Sequence, residues 1–466
     1  MLNIVRSILR ILALALALAL CASDRAAAQS TMAIDFEDAF SPEFMKRDVP
    51  TFKSILLLDD DQTSIIDALI HDYNEQFEQA LRGVREDVRA AQAAMGVEDP
   101  EIDQQREALR GEIATMFEEM QRELANLPVG ADAGEVRVKY EGHMKELQAR
   151  LQQLQTSPMR GEQLAKLFDD ASLRMERWRS ERKAIREKFA ADVNAVLRLE
   201  QQGRWPALER RLLRERTLGR GLLQGEGVDL FLVARDVKLD EAQRQSLATA
   251  LTDYEMALDA GLRTRNETIE NSEREIFKSV QRSDVDTLSA LIERITQARV
   301  SVRNVNDDFA ARLASQAGES GWAAGAIMEA YRQRGYPLVF RDTQALRLIK
   351  AAQELPGITP EQVQGLASLR SAYESELGPM NERVLAAVRE HEPAQVALRE
   401  TRRLLPPVPE QEAAERDRPV DGMRQAFNER AEMGKRYDAQ LQAVLGEELY
   451  ERLPRNQGGV PAAREP

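Results

Sequence analysis

Residues 358–377 read ITPEQVQGLASLRSAYESEL, and two earlier stretches, 58–77 and 239–258, carry the same skeleton without a gap. In each, an aliphatic residue stands four before a glutamine: Leu58 before Gln62, Leu239 before Gln243, Ile358 before Gln362. An aliphatic follows that glutamine by four (Ile66, Leu247, Leu366) and a tyrosine by eleven (Tyr73, Tyr254, Tyr373). An apolar residue follows by fifteen (Phe77, Leu258, Leu377). The chain holds only eight tyrosines. Three of them at one offset mark a threefold internal repeat, and a repeat of this kind decides architecture before anything else does.

Each copy opens as a helix should. Asp59, Asp240 and Thr359 stand at the first cap position with a glutamine three residues later, the capping box in which each partner satisfies an orphan backbone N–H of the other. Pro360 follows Thr359 where a missing N–H costs nothing, and acids in the first turns suit the helix dipole. Beyond the cap, apolar residues return on one helical face, so each copy starts a long amphipathic helix. The repeat tyrosine adds ring area to that face and a hydroxyl that needs a partner when buried.

The stretch Ile358-Thr359-Pro360-Glu361-Gln362 resembles the LTxxQ motif of Spy-like and CpxP-like periplasmic proteins, small helical chaperones and envelope-stress factors. The likeness covers about five residues per copy; only the third copy has the threonine, and none has the Leu-Thr pair. It implies an ATP-independent holdase as one function class. The wider layout is similar to exported helical proteins of planctomycete-type bacteria, which implies export and helix and no activity.

Composition agrees with long helices. Of 466 residues, 43% are hydrophobic, only 5% aromatic and 30% charged, a profile of coiled-coil-like arms more than of a thick globular core. The net charge of −14 argues against nucleic acid as a partner. Arg6 and Arg10 precede the apolar run 11–22, and Ala26-Ala27-Ala28 supplies a small-x-small cleavage pattern, so residues 1–28 read as a cleaved signal peptide. The run is too short to span a bilayer, so no transmembrane anchor is expected in the mature chain. Cys21, the only cysteine, lies inside this segment. Its surroundings resemble a bacterial lipobox, with Leu20 where a small residue belongs, and lipidation is the alternative to simple cleavage. The reading places the protein in the periplasm or outside the cell, without disulfide or thiol chemistry once residues 1–28 are removed.

In chain order, 29–58 is a loose lead-in with a short apolar helix from Phe52 after the stop at Val49-Pro50, and 59–206 is the first hairpin unit. Within that unit, breaks near Pro100 and Pro158 flank a turn at residues 127–134. They fit either one long hairpin or a folded-back four-helix bundle. Connector helices occupy 207–238, around a flexible glycine loop at 219–227. The second unit runs 239–337 with its turn near Ser283-Asp284, a connector helix fills 338–357, and the third unit, 358–454, turns near residues 405–409. A disordered tail follows from Arg455. Trp205-Pro206, Tyr336-Pro337 and Pro454 close the three units, a bulky residue before proline being pushed towards extended backbone. From glutamine to closing proline the first unit is about fifty residues longer than the others. Shared between two arms, that adds about 38 Å to each.

Candidate sites are few. His71, His143 and His391 fall in different segments, and none has a second His or Cys at ligand spacing. Glu390-His391-Glu392 offers groups that would suit a cation, but it precedes Pro393, which marks a helix end, where charged residues are ordinary. Residues 174–220 carry fourteen Lys/Arg against seven Asp/Glu, read as a solvated face laced with i,i+4 pairs; docking of an anionic partner is the other reading. The glycine cluster GRGLLQGEG lacks the lysine and flanking strand of a phosphate loop. No nucleophile motif singles out a catalytic pair, and no metal or other cofactor is expected. The expectation is therefore all-α: three tandem antiparallel helical hairpins on a base of short connector helices. The function is that of a non-enzymatic envelope scaffold, or alternatively a holdase. Its partners are proteins or unfolded clients along the arms, or further copies of the chain.

Overall fold

The computed structural model describes residues 40–95, 159–237, 239–282, 284–319, 324–405 and 421–454, with short helical pieces of 108–150. Among these residues every regular element is a helix, so the chain is all-α. Residues 1–28 with Cys21, the breaks at Pro100 and Pro158, the turn at 127–134 and the tail from Arg455 lie outside the described residues.

The α-helices are α1 (Val49–Leu56), α2 (Asp60–Met95), α3 (Met159–Val196), α4 (Leu199–Gln202), α5 (Trp205–Thr217), α6 (Leu230–Asp236) and α7 (Glu241–Arg282). They continue with α8 (Val285–Glu319), α9 (Ala324–Gly335), α10 (Pro337–Phe340), α11 (Gln344–Gln353), α12 (Pro360–Leu404), α13 (Asp421–Leu445) and α14 (Glu447–Glu451). They fall into two compact bodies divided after Leu208, with Phe277–Ser283 counted in the first.

All three capping boxes form. The Gln62 amide N–H donates to Asp59 Oδ1 at 2.9 Å while Asp59 N donates to Gln62 Oε1 at 3.3 Å. Asp240 and Gln243 do the same at 2.8 and 2.7 Å, as do Thr359 and Gln362 at 3.3 and 2.9 Å. Below the caps the repeat face is buried: Ile66, Leu247 and Leu366 are fully enclosed, as are the three tyrosines. Each such aliphatic or aromatic side chain contributes about 1.5–3 kcal/mol by leaving water.

The tyrosine hydroxyls find a shared kind of partner. Tyr73 Oη accepts from the backbone N–H of Glu43 at 3.0 Å. Tyr254 Oη donates to Val228 O at 3.2 Å and to Asn306 Oδ1 at 3.0 Å. Tyr373 Oη meets Thr343 Oγ1 at 2.5 Å. Thr343 caps α11 and Asp229, next to Val228, caps α6. In the second and third copies, then, the tyrosine staples the start of the short helix that precedes its own long helix, while in the first it ties the lead-in ahead of α1.

In the first body α2 and α3 pair antiparallel: the Tyr73 ring lies 5.0 Å from that of Phe189, and Lys188 Nζ donates to Gln76 Oε1 at 3.0 Å. Glu123, in the short helical pieces, binds Lys139 and Tyr140 at 2.7 and 2.8 Å. The lead-in is not loose where it is described. Phe44 is buried among Phe52, Tyr73, Phe189 and Trp205, with its ring 4.6 Å from that of Phe189. Glu43 pairs with Arg186 at 2.7 Å. The apolar residues of that stretch suffice to pin it. Val49-Pro50 opens α1 rather than stopping a segment, because proline in a first turn forfeits no hydrogen bond. Leu57 then ends α1 in the left-handed region, φ 53°, where the third copy has Gly357 at φ 88°.

In the second body α7 and α8 run antiparallel, with Tyr254 against Phe309 at 5.6 Å and Arg312 bonded to Asp253 at 2.8 Å. In the third copy α12 and α13 do the same, with Tyr373 against Tyr437 at 4.8 Å. Helix α11 packs on both, and α8 packs on α12 and α9. The turns predicted for these two arms fall where α7 gives way to α8 and where α12 ends at Leu404.

Two sequence expectations change. Helix α12 does not end before Pro393 but runs through both Pro379 and Pro393. An interior proline leaves the carbonyl four residues back without its helical donor; for Pro393 that is Arg389 O, and it accepts instead from Arg303 Nη2 of α8 at 3.0 Å. The closing pairs also behave differently from expectation. Trp205 is itself the first residue of α5, with Pro206 second, while Tyr336 (φ −128°, ψ 56°) caps α10 with Pro337 at its start. Both prolines start helices at corners of the chain, and Pro454 follows the last turn.

Candidate functional site

A cavity of the second body lies between α12 and α13, beside Pro379 inside α12. Met380, Met433 and Pro379 form its floor, Ser375, Gln425 and Asn428 line its walls, and its volume is about 940 Å³. Both methionines are buried. Ion pairs tie the two helices across its ends: Glu376 binds Arg436 and accepts from Tyr437 Oη at 2.8 Å, and Arg383 faces Glu429 at 3.7 Å. Methionine is a soft, adaptable surface for an apolar side chain, and the paired rim offers hydrogen-bonding groups of both signs. The cleft suits recognition.

The second arrangement is the loop at 219–227. The sequence reading makes it flexible, but it is among the best-fastened segments of the second body. Glu226 is fully buried. Its Oε2 accepts from the backbone N–H groups of Leu222 and Leu223 at 2.8 and 3.2 Å. Its Oε1 accepts from Arg265 Nη1 of α7 at 2.9 Å and Arg299 Nη1 of α8 at 3.1 Å. Asn306 Nδ2 donates to the carbonyls of Gly225 and Glu226, both at 2.8 Å. Gly225 takes φ 83°, and a Cβ there would sit 2.6 Å from Tyr336 Oη. Glycine is needed here for close approach rather than for mobility.

Around this loop the polar groups are satisfied in layers. Asp307 accepts from Tyr336 Oη at 2.8 Å, binds Tyr331 Oη, and pairs with Arg389 at 2.9 Å. Burial, then the neighbouring charges, raise both phenols far above the ordinary tyrosine range, so they remain donors at any physiological pH. Glu392 of α12 accepts from the backbone N–H of Gln224 at 3.1 and 3.2 Å and faces Arg303 at 3.6 Å. Burial pushes its carboxyl up to about 6, against the lowering pull of the Gln224 amide and Arg303.

The repeat positions divide into two kinds. Gln62 Nε2 reaches across to Val196 O at 3.1 Å and to Gln201 Oε1 at 2.9 Å, and Gln362 Nε2 reaches Leu445 O at 3.0 Å. Both clasp the end of the returning arm. Gln243 makes the capping bonds of its helix and no such clasp among the described residues. Trp205 and Tyr336 are buried within their own bodies. None of the repeat positions lines the α12–α13 cleft.

The histidines stay apart. His71 is exposed beside Glu75 at 3.7 Å and His143 beside Glu146 at 3.7 Å. His391 packs against the start of α13, where a Cβ on Gly422 would collide with its ring. Among the described residues no group of three His, Cys, Asp or Glu gathers as for a metal ion. Within the basic stretch Arg182 and Arg186 face Glu43, Lys183 faces Glu187 and Arg211 bonds Glu215, the laced face that the spacing predicts. No described helix is long and apolar enough to cross a membrane.

No family model, curated protein or solved structure matches this chain.

The sequence reading missed Glu226, Arg265, Arg299 and Arg303; Glu392 it named only within Glu390-His391-Glu392. A signal existed. Arg265 follows Leu258 and Leu262 on the buried face of α7, and Arg299 and Arg303 stand among Val302, Asn306 and Ala310 on that of α8. Arginine on the apolar stripe of a helix requires a buried carboxylate opposite, since an unpaired buried charge is too costly to persist.

Proposed function

We propose that the protein is an exported, non-enzymatic helical scaffold of the bacterial envelope that holds protein partners along its arms. The observation that carries this reading is the distribution of apolar surface. The stripes of the repeat helices are turned inward and paired, while large exposed apolar side chains, such as Leu173, Met256, Val285 and Leu398, stand dispersed along separate helices. A scaffold needs stiff arms with solvated outer faces; a holdase needs a broad apolar face open to clients. The basic-then-apolar N-terminus followed by small residues supports export.

The methionine-floored cleft between α12 and α13 favours a second reading, in which the third hairpin takes unfolded apolar segments as LTxxQ-type chaperones do. Aggregation suppression by residues 29–466 separates the two. A client diluted from denaturant is followed by light scattering without ATP. The scaffold reading expects no suppression across a wide excess of this protein. Suppression near equimolar ratio, abolished by Met380→Glu with Met433→Glu, would transfer the function to the holdase reading.

A further inference from the structure

We propose that the loop at 219–227 is a proton-linked latch, fastened to α12 while Glu392 is neutral and loosened when Glu392 is ionised. Glu226, in the loop, takes Arg265 of α7 and Arg299 of α8 on a single oxygen. Asp307 of α8 takes Arg389 of α12. Arg303 of α8 is left for Glu392, and it is already committed through Nη2 to Arg389 O, the carbonyl vacated by Pro393. Its Nη1 therefore stands 3.6 Å from Glu392 Oε2, beyond hydrogen-bond length. On α12 itself Glu390 points to solvent, near His391 at 4.0 Å. Glu392 is thus a largely buried carboxylate with one stretched cation, the backbone N–H and side-chain amide of Gln224 as its neutral donors, and the second anion Glu226 close by.

Ionised, such a group is poorly compensated for the water it has lost. Neutral, it still accepts from the Gln224 N–H. Lifting the loop readmits water to Glu392 and returns it to the ordinary glutamate range, so the closed state binds the proton more tightly than the open one. That requires acid to favour closure and neutral pH to favour opening. The raised carboxyl, about 6 against an ordinary 4.5, sets the linkage at roughly 30-fold between closed and open. The latch also reaches the next copy, because the Gln224 side chain accepts from the backbone N–H of Leu338 at 3.2 Å, at the start of α10. Opening therefore loosens the join between the second and third repeats inside the second body.

The test is hydrogen exchange by mass spectrometry on the mature full chain, at about pH 5 and about pH 7.5, with each rate corrected for its intrinsic chemical pH dependence. Protection of peptides covering 219–227 is expected to fall on going to the higher pH, by roughly 8-fold of the roughly 30-fold total because about pH 5 leaves Glu392 only partly protonated when open, while α11 and α13 keep theirs. Glu392→Gln should remove that pH dependence. Glu390→Gln, which alters an exposed neighbour, should retain it and keeps the test decisive if the first variant does not fold. Equal corrected protection at both pH values in the wild type overturns the proposal. So does an unchanged trend in Glu392→Gln, or a lost one in Glu390→Gln.

Discussion

Replacing Glu226 by glutamine changes one atom and should destabilise the second body by about 3–5 kcal/mol. The magnitude follows from the carboxylate's four bonds. Two backbone N–H groups converge on Oε2 and two guanidinium groups on Oε1, at 2.8–3.2 Å, and the side chain is fully buried. A glutamine has one oxygen, so whichever way it turns, its amino group faces a pair of donors. If that pair is the arginines, Arg265 and Arg299 become buried cations without a counter-charge. If it is the amides, Leu222 and Leu223 lose their acceptor, and the arginines keep a neutral oxygen but lose their counter-charge all the same. An exposed pair sets the contrast: Glu241→Gln, opposite Arg244 at 2.9 Å on the surface of α7, should cost less than about 1 kcal/mol. Urea unfolding followed by circular dichroism, with pulse-labelling mass spectrometry to report α7, α8 and α12 separately, measures both. A midpoint shift of about 1–2 M is expected for Glu226→Gln at typical denaturant slopes. A loss below about 1 kcal/mol would refute the view that this loop is anchored by its buried charge.

Gln62→Ala should cost about 1–3 kcal/mol, because the buried Val196 carbonyl and Gln201 lose their partner, whereas Gln243→Ala should lose only its cap, about 1 kcal/mol or less; thermal unfolding of the two variants ranks them. Tyr373→Phe removes the bond to Thr343 and should cost about 0.5–1.5 kcal/mol, read as faster exchange in α11. Leu57→Gly relieves a left-handed leucine and should leave stability unchanged or raise it by up to about 1 kcal/mol, whereas Gly357→Ala should lower it by about as much; a loss above 1 kcal/mol in Leu57→Gly would show that this exposed side chain has a contact to keep. For pH the sign follows from the raised carboxyl of Glu392. Its stabilising contribution is complete below about 4.5 and disappears as pH rises through about 6, so wild type measured against Glu392→Gln should lose about 2 kcal/mol over that window.

The features legible in the sequence were those set by neighbours along one helix. The three capping boxes could be written down from Asp59, Asp240, Thr359 and their glutamines, because both partners lie within one turn. The apolar faces below them followed from spacing alone. What the tyrosines bond to was not legible, since Glu43, Val228 and Thr343 share no residue type; what they share is a place in the segment leading into the long helix, 26 to 30 residues before the tyrosine. The glycine loop looked flexible because local composition cannot report that Asn306, Arg265 and Arg299 close over it from two distant helices. Pro393 suggested a helix end for the same reason: the donor that lets α12 continue, Arg303, comes from another arm. The candidate cleft was not legible, because nothing local shows that α13 would bring Met433 opposite Met380.

The tyrosine staples and the glutamine clasps differ in how much chain each must close. The staples join residues 30, 26 and 30 apart, while the clasps of Gln62 and Gln362 join residues 134 and 83 apart. Loop closure costs more for the longer spans, and synthesis delivers the chain from its N-terminus. A short helix and the first turns of its long helix are therefore both available to dock before the returning arm of that repeat has been made. Each nascent repeat can hide its tyrosine early, and the late clasp then acts as a check that the arm has come back in register.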